Sequence, residues 1–128
     1  MIIVRQMIIA DLEAVMRIKE AENWNQTEED WIFLMNSNPE YCLVAVFKDI
    51  VVGSVTAINY QNKVAWIGMM LVSKEYRGIG ISTILLKNII SKLKKCKSIK
   101  LDATSLGVPV YKKLGFIEEY KIDRLTCL

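Results

Sequence analysis

The chain has 128 residues, of which 52% are hydrophobic and 24% charged, and its net charge is +3. This fits one globular domain, residues 1–128, and excludes a disordered chain; with no apolar run near ~20 residues, a membrane-spanning helix is not expected either. There is no histidine, which removes Ser-His and Cys-His nucleophilic systems, and Cys42, Cys96 and Cys127 show no metal-ligand spacing, so no metal site is expected.

Residues 2–6 have β character. The apolar opening Met1-Ile2-Ile3-Val4 is interrupted by Arg5 and Asp11 too soon for a signal peptide. Together with scattered free thiols, this predicts a cytoplasmic location. From 10 to 22 the spacing of Leu12, Val15, Met16 and Ile18 predicts an amphipathic helix. Thr27-Glu28-Glu29-Asp30 is a capping signal for a second helix reaching residue 35, and Asn36-Ser37-Asn38-Pro39 ends it. Residues 41–47, 50–59 and 64–72 then read as three strands joined by turns at 48–49 and 61–63, an antiparallel meander.

Residues 73–82 join the third of these strands to a helix predicted over 81–96, whose apolar face carries Ile81, Ile84, Leu85, Ile89, Leu93 and Cys96. Residues 98–103 read as a strand able to run parallel to 64–72, because a helix separates the two. Pro109 suits the first turn of a short helix over 108–114, and Gly115 stands where a left-handed C-terminal residue is expected. One or two strands within 116–127 close the sheet. The lysines at 92, 94, 95, 97 and 100 suit a solvated helix end that complements the helix dipole. No basic face interleaved with stacking aromatics is visible, so nucleic acid is not an expected partner.

The stretch Tyr76-Arg77-Gly78-Ile79-Gly80-Ile81-Ser82 lies between strand and helix. Backbone N–H groups there converge at the positive end of a helix, with no Cβ on Gly78 or Gly80 to obstruct an anion. The same glycines also suit a plain connection. The Gly-Lys-Ser/Thr ending of a Walker loop is absent. A dinucleotide fingerprint would place a third glycine where Thr83 stands, although Asp102 lies at a plausible distance for a ribose-binding acid. The meander weighs more heavily against that fingerprint, because a Rossmann sheet requires helical crossovers.

The pattern Val72-x-x-x-Tyr76-Arg77-Gly78-x-Gly80-x-Ser82, followed by Tyr111-Lys112-Lys113-Leu114-Gly115-Phe116, resembles the GNAT superfamily of N-acetyltransferases. The predicted element order is similar to that fold over essentially the whole chain. The resemblance implies an α+β (mixed α/β) acyl-CoA N-acyltransferase fold, with a central, mostly antiparallel mixed sheet flanked by about four helices. It implies acetyl-CoA as cofactor and direct transfer of acetyl to a primary amine of a small molecule or protein. A non-catalytic acyl-CoA sensor of the same fold is the alternative. Arg77, Gly78, Ile79, Gly80, Ile81 and Ser82 then form the pyrophosphate loop, with Ser82 where Gly or Ala is usual. Backbone groups of Met70, Leu71 and Val72 serve the thioester carbonyl and pantetheine arm. Thr104 stands where many relatives carry a cofactor-contacting asparagine.

Tyr111 is then the candidate acid for the departing thiolate, since a phenol with pKa near 10 is protonated at neutral pH. It also suits a core tyrosine packed on Phe116. The resemblance places the acceptor site near residues 22–31, with Trp24 and Trp31 as lining and Glu22, Glu28 or Asp102 accepting a proton through water. Tryptophans in a core and acids at a helix start account for the same residues. No glutamate matches the position some relatives use as base. A homodimer is compatible with the apolar strands.

Overall fold

The computed structural model describes residues 1–21, 27–102, 108–118 and 124–127. Seven strands form one sheet: β1 (Ile2–Gln6), β2 (Cys42–Phe47), β3 (Ile50–Tyr60), β4 (Val64–Val72), β5 (Ser98–Asp102), β6 (Ile117–Glu118) and β7 (Arg124–Cys127). The order is β1-β2-β3-β4-β5-β7-β6. Only β4 and β5 pair in parallel; the other neighbours are antiparallel. The parallel pair is bridged by α3 (Ile81–Lys92), as the crossover requirement demands. The other helices are α1 (Leu12–Ala21), α2 (Glu28–Ser37) and α4 (Val108–Lys113). The expected mixed α+β architecture is therefore present.

Strand alternation gives the sheet two apolar faces. Leu43 and Ala45 point to the side covered by Ile81, Leu85, Leu86 and Ile89 of α3 and by Leu93 just past its end. Cys42 and Val44 point to the opposite side, against Val15 and Ile18 of α1 and Trp31 and Leu34 of α2. Two helices thus cover one face, and α3 with Phe116 and Tyr111 covers the other.

Local chemistry sets the element ends. A 3-10 turn, Ile9–Asp11, precedes α1, so the α-helix starts two residues later than the periodicity predicts. The cause is Asp11, which accepts the Ile8 N–H at 2.8 Å and both guanidinium nitrogens of Arg5 at 2.7 and 2.8 Å. Thr27 caps α2 as expected: its hydroxyl accepts the Asp30 N–H, and the Asp30 carboxylate accepts the Thr27 N–H. α3 ends at Lys92 rather than continuing to Cys96. Leu93, Cys96 and Lys97 turn the chain into β5 instead, with Cys96 N–H donating to Leu93 and Lys97 N–H to Asn62.

Two bulges shape the centre of the sheet. Ala45 pairs with Gly53 and Val46 with Val51, which leaves Val52 extra in β3. At Gly53 a Cβ would lie 2.8 Å from the Leu71 carbonyl oxygen and 3.1 and 3.3 Å from Leu85 and Ile81. The missing side chain lets α3 sit directly on β3. Ser54 pairs with Leu71 and Thr56 with Gly68, so Met69 and Met70 together face Val55. This second bulge lies in β4 and bears on the site.

Candidate active site

The parallel ladder between β4 and β5 covers only Val64↔Ser98 through Ile67↔Leu101. β4 runs on to Val72, still held by β3 on its other side. Among the described residues, its outer edge over 68–72 has no strand partner. A strand edge of this kind presents N–H and C=O groups ready to pair with an extended chain. Met70, Leu71 and Val72 all lie on this segment, with the Leu71 side chain buried and those of Met70 and Val72 half-buried.

The same strand leads into the glycine loop. A 3-10 turn, Lys74–Tyr76, is followed by Arg77, whose Nε donates to the Val72 carbonyl at 3.3 Å and ties the loop back to the strand end. Gly78 and Gly80 have φ of +84° and +90°, a conformation glycine adopts without steric cost. Among the described residues, nothing lies within 4 Å of the position a Cβ would take at either glycine. Their smallness therefore answers to the backbone and to whatever occupies the space outside, not to neighbouring side chains.

Gly80 is the N-cap of α3, without a side-chain cap. The first intrahelical bond runs from Ile84 N–H to the Gly80 carbonyl at 3.1 Å, so the N–H groups of the first turn have no acceptor within the helix. Ile81 is buried and anchors this end, leaving its backbone alone available to a ligand. Ile79 is exposed at the tip of the loop, and Ser82 is half-buried in the first helical turn. The loop thus combines a rigid seat, converging donors and open space.

Tyr111 comes from the other side of the parallel pair. The Gly115 N–H bonds the Lys112 carbonyl at 3.1 Å and the Phe116 N–H bonds the Tyr111 carbonyl at 3.2 Å, with Gly115 at φ +96°. These two bonds make a Schellman cap, in which Tyr111 and Phe116 are the positions that normally touch. Their rings do touch, edge to face, with centroids 6.1 Å apart. The Tyr-x-x-x-Gly-Phe spacing is thus the geometry of a helix end, and it fixes the tyrosine ring. Burial pushes the Tyr111 phenol above its ordinary value, so it stays protonated well past neutral pH. Among the described residues its hydroxyl has no hydrogen-bond partner.

Cys42 and Cys96 are poor nucleophiles here. Burial, and then the charge of Glu40, pushes Cys42 up to about 11; burial alone raises Cys96. On the acceptor side, Trp31 is fully buried between α2 and the sheet. Its indole forms core rather than the wall of an open acceptor site. Glu28 is exposed on the first turn of α2. Asp102 is the last residue of β5, paired with Arg124 of β7. Glu22, Trp24 and Thr104 lie outside the described residues.

Sequence reasoning missed two features. One is a cleft of about 650 Å³ between α1 and the residues just before the loop, where Arg17, Ser73, Lys74, Glu75 and Tyr76 contribute walls. It forms from three segments distant in sequence, so no local pattern announces it. The other is the buried Ser54, whose Oγ donates to the Met69 carbonyl at 2.7 Å. Among the valines of β3 it reads as a small core residue.

Among the described residues, a strand with one edge lacking a strand partner thus runs into a glycine-lined helix start, an arrangement that defines a class of mixed-sheet α+β protein. Comparison with known proteins gives that class its family. The chain belongs to the acetyltransferase (GNAT) domain family, whose domain matches residues 13–122. It is 30% identical over 106 residues to the holothin acyltransferase of Pseudoalteromonas sp. (strain SANK 73390), covering 83% of this chain and 36% of that protein. Its fold matches the crystal structure of a putative acetyltransferase from Pyrococcus horikoshii with a TM-score of 0.83 and 34% identity, over 93% of this chain and 44% of the other. It also matches a chain of the NatC complex, solved bound to Gag peptide and CoA, with a TM-score of 0.83 and 21% identity, covering 98% and 97% of the two chains. The chain thus spans about a third of the curated relative and under half of the Pyrococcus protein. Among the described residues, no helix is long and apolar enough to cross a membrane.

Proposed function

We propose that this protein is an N-acetyltransferase that moves acetyl from acetyl-CoA directly to a primary amine. The observation that carries the reading is the continuity of the free β4 edge with the open glycine loop. A pyrophosphate fits the loop, where the N–H groups of α3 and the space over Gly78 and Gly80 converge. An extended pantetheine arm fits the edge over 68–72, where amide groups can pair with unpaired backbone. The shared fold of the CoA-bound NatC complex supports the same choice of ligand.

When bound, acetyl-CoA supplies an activated acyl carbon and a thiolate leaving group. The chain's residues then divide the work. Arg77 and the α3 amides hold the phosphates, and Ile81 keeps the helix start from retreating. The Met70 N–H, on the bulged part of the edge, is the donor for the developing oxyanion. Tyr111 delivers its phenolic proton as the C–S bond breaks, and the raised pKa keeps that proton in place across the physiological range. The amine arrives deprotonated, its proton passing to water or to a carboxylate such as Glu28 or Asp102. Thr104 is kept as a cofactor contact and Trp24 as an acceptor contact in this reading.

Titration calorimetry with acetyl-CoA, with NAD and dephospho-CoA as controls, followed by thiol release across a panel of amines, tests it. Binding of acetyl-CoA but not NAD, and amine-dependent thiol release, are expected. No binding by folded protein would remove the cofactor and the reading with it. Tight binding without thiol release from any amine would leave a CoA-binding domain and remove the transferase step.

A further inference from the structure

Ser54 lies on β3, fully buried, and its hydroxyl is committed to one acceptor, the Met69 carbonyl, at 2.7 Å. Its target is unusual. Met69 has φ +49°, in the left-handed region that non-glycine residues seldom occupy. Such a conformation is strained and persists only where its surroundings enforce it. Met69 is also the inserted part of the β4 bulge, where the extra residue is left out of the ladder.

We infer that Ser54 is a positioning residue for the oxyanion donor; the inference rests on the acetyltransferase reading. The Met69 carbonyl and the Met70 N–H belong to one peptide group, planar and trans. In a trans peptide the two point in opposite directions. Ser54 reaches the carbonyl from β3, so the Met70 N–H is turned away from β3. Beyond β4 on that side lies the edge over 68–72, which has no strand partner among the described residues. The hydroxyl on one strand therefore sets the aim of an amide on the next without touching the ligand. Loss of the hydroxyl frees the peptide to rotate and spoils the aim, while the glycine loop, which begins beyond the end of β4 at Val72, is untouched.

The test uses the full chain, wild type and the variants S54A and S54T. In S54A, kcat should fall about 10- to 100-fold, short of the full loss of an oxyanion donor. The Kd for CoA, which lacks the carbonyl, should stay within about threefold of wild type. S54T restores the hydroxyl and should recover most of kcat. In ¹⁵N-labelled wild-type protein, the Met70 amide proton should move downfield with acetyl-CoA and not with CoA, and this readout does not depend on any variant folding. A folded S54A with wild-type kcat would overturn the inference. So would a kcat loss matched by an equal loss of CoA affinity, or a Met70 resonance that answers CoA and acetyl-CoA alike. Wild-type protein that binds acetyl-CoA without turnover would bring down the transferase reading separately, and the Met70 resonance would still decide whether the bulge grips the thioester carbonyl.

Discussion

Gly80 and Gly53 stand at the two contacts that fix the start of α3, and they are glycines for opposite reasons. At Gly80 the backbone is left-handed and the space a Cβ would fill is empty. At Gly53 that space is full: the Leu71 carbonyl, Leu85 and Ile81 all crowd it. One glycine leaves room for something absent from the chain, and the other lets two parts of the chain meet. A glycine with no described neighbour where its Cβ would lie is chosen by its left-handed backbone, whereas one bordered by backbone is chosen by packing.

The sharpest way to break this distinction is Gly80→Asp. Aspartate tolerates a left-handed backbone better than most residues, so the variant should fold with a stability loss of about 1 kcal/mol. Its carboxylate would sit against the phosphates, and affinity for acetyl-CoA should fall about 10³-fold. Calorimetry beside a thermal melt reads both quantities. A folded variant with wild-type affinity would mean the empty space has no ligand to receive.

In the proposed reading Tyr111 joins both functions in one side chain: its ring closes the helix cap, and among the described residues its hydroxyl has no hydrogen-bond partner. Tyr111→Phe separates them. The ring contact survives, so the melting temperature and acetyl-CoA affinity should hold, while kcat should fall about 10²-fold. The pH profile carries a second check. Burial raises the phenol, so in wild-type protein the high-pH limb set by this group should lie above its ordinary value of about 10. Unchanged kcat in the phenylalanine variant would assign Tyr111 to the cap alone.

What could be read from the chain follows the same division. The element order was legible because apolar spacing marks it: the meander and the capping box of α2 stand within a residue or two of expectation, and α3 starts where expected but stops at Lys92, short of Cys96. The glycine loop was legible because positive φ selects a residue type that shows in the sequence. Tyr111, Gly115 and Phe116 were legible because a Schellman cap fixes their spacing. The bulge at Met69 was not, since a methionine at φ +49° leaves no mark. Nor was the free edge of β4, which depends on where β5, a strand far along the chain, stops pairing after Ile67↔Leu101. Trp31 was read as a candidate acceptor contact from its place between the helices. Only the packing of α2 on β2 shows that its ring faces the core.

Gly53→Ala tests the crowded half of the comparison. The nearest obstacle is a backbone oxygen at 2.8 Å, which cannot step aside as a flexible side chain would. Overpacking of this kind costs about 1–3 kcal/mol, and about 2 kcal/mol is expected by denaturant titration. Affinity for acetyl-CoA should fall much less than in Gly80→Asp, since the loop keeps its own geometry. If Gly53→Ala costs no stability and yet abolishes binding, the two glycines have been assigned the wrong way round.

Asp11 extends the comparison from glycines to charges. Its carboxylate is buried and fully engaged, by two bonds from Arg5 and one from the Ile8 N–H. Burial alone would raise its pKa, but the Arg5 hydrogen bonds, the Ile8 N–H and the Arg5 charge together hold it below the usual value. A carboxylate lowered in the folded state lends stability that is present above its unfolded pKa, near 4, and lost as pH falls through the lower folded value. Arg5 is 41% exposed, so solvent screens its part of the pair. Asp11→Asn should therefore cost only about 1–2 kcal/mol at neutral pH. The difference from wild type should shrink as both are titrated below about pH 4, and acetyl-CoA affinity at pH 7 should not change. A gap that persists undiminished in acid would show that the carboxylate charge is not what holds this turn, and would leave hydrogen bonding through the neutral side chain as the cause.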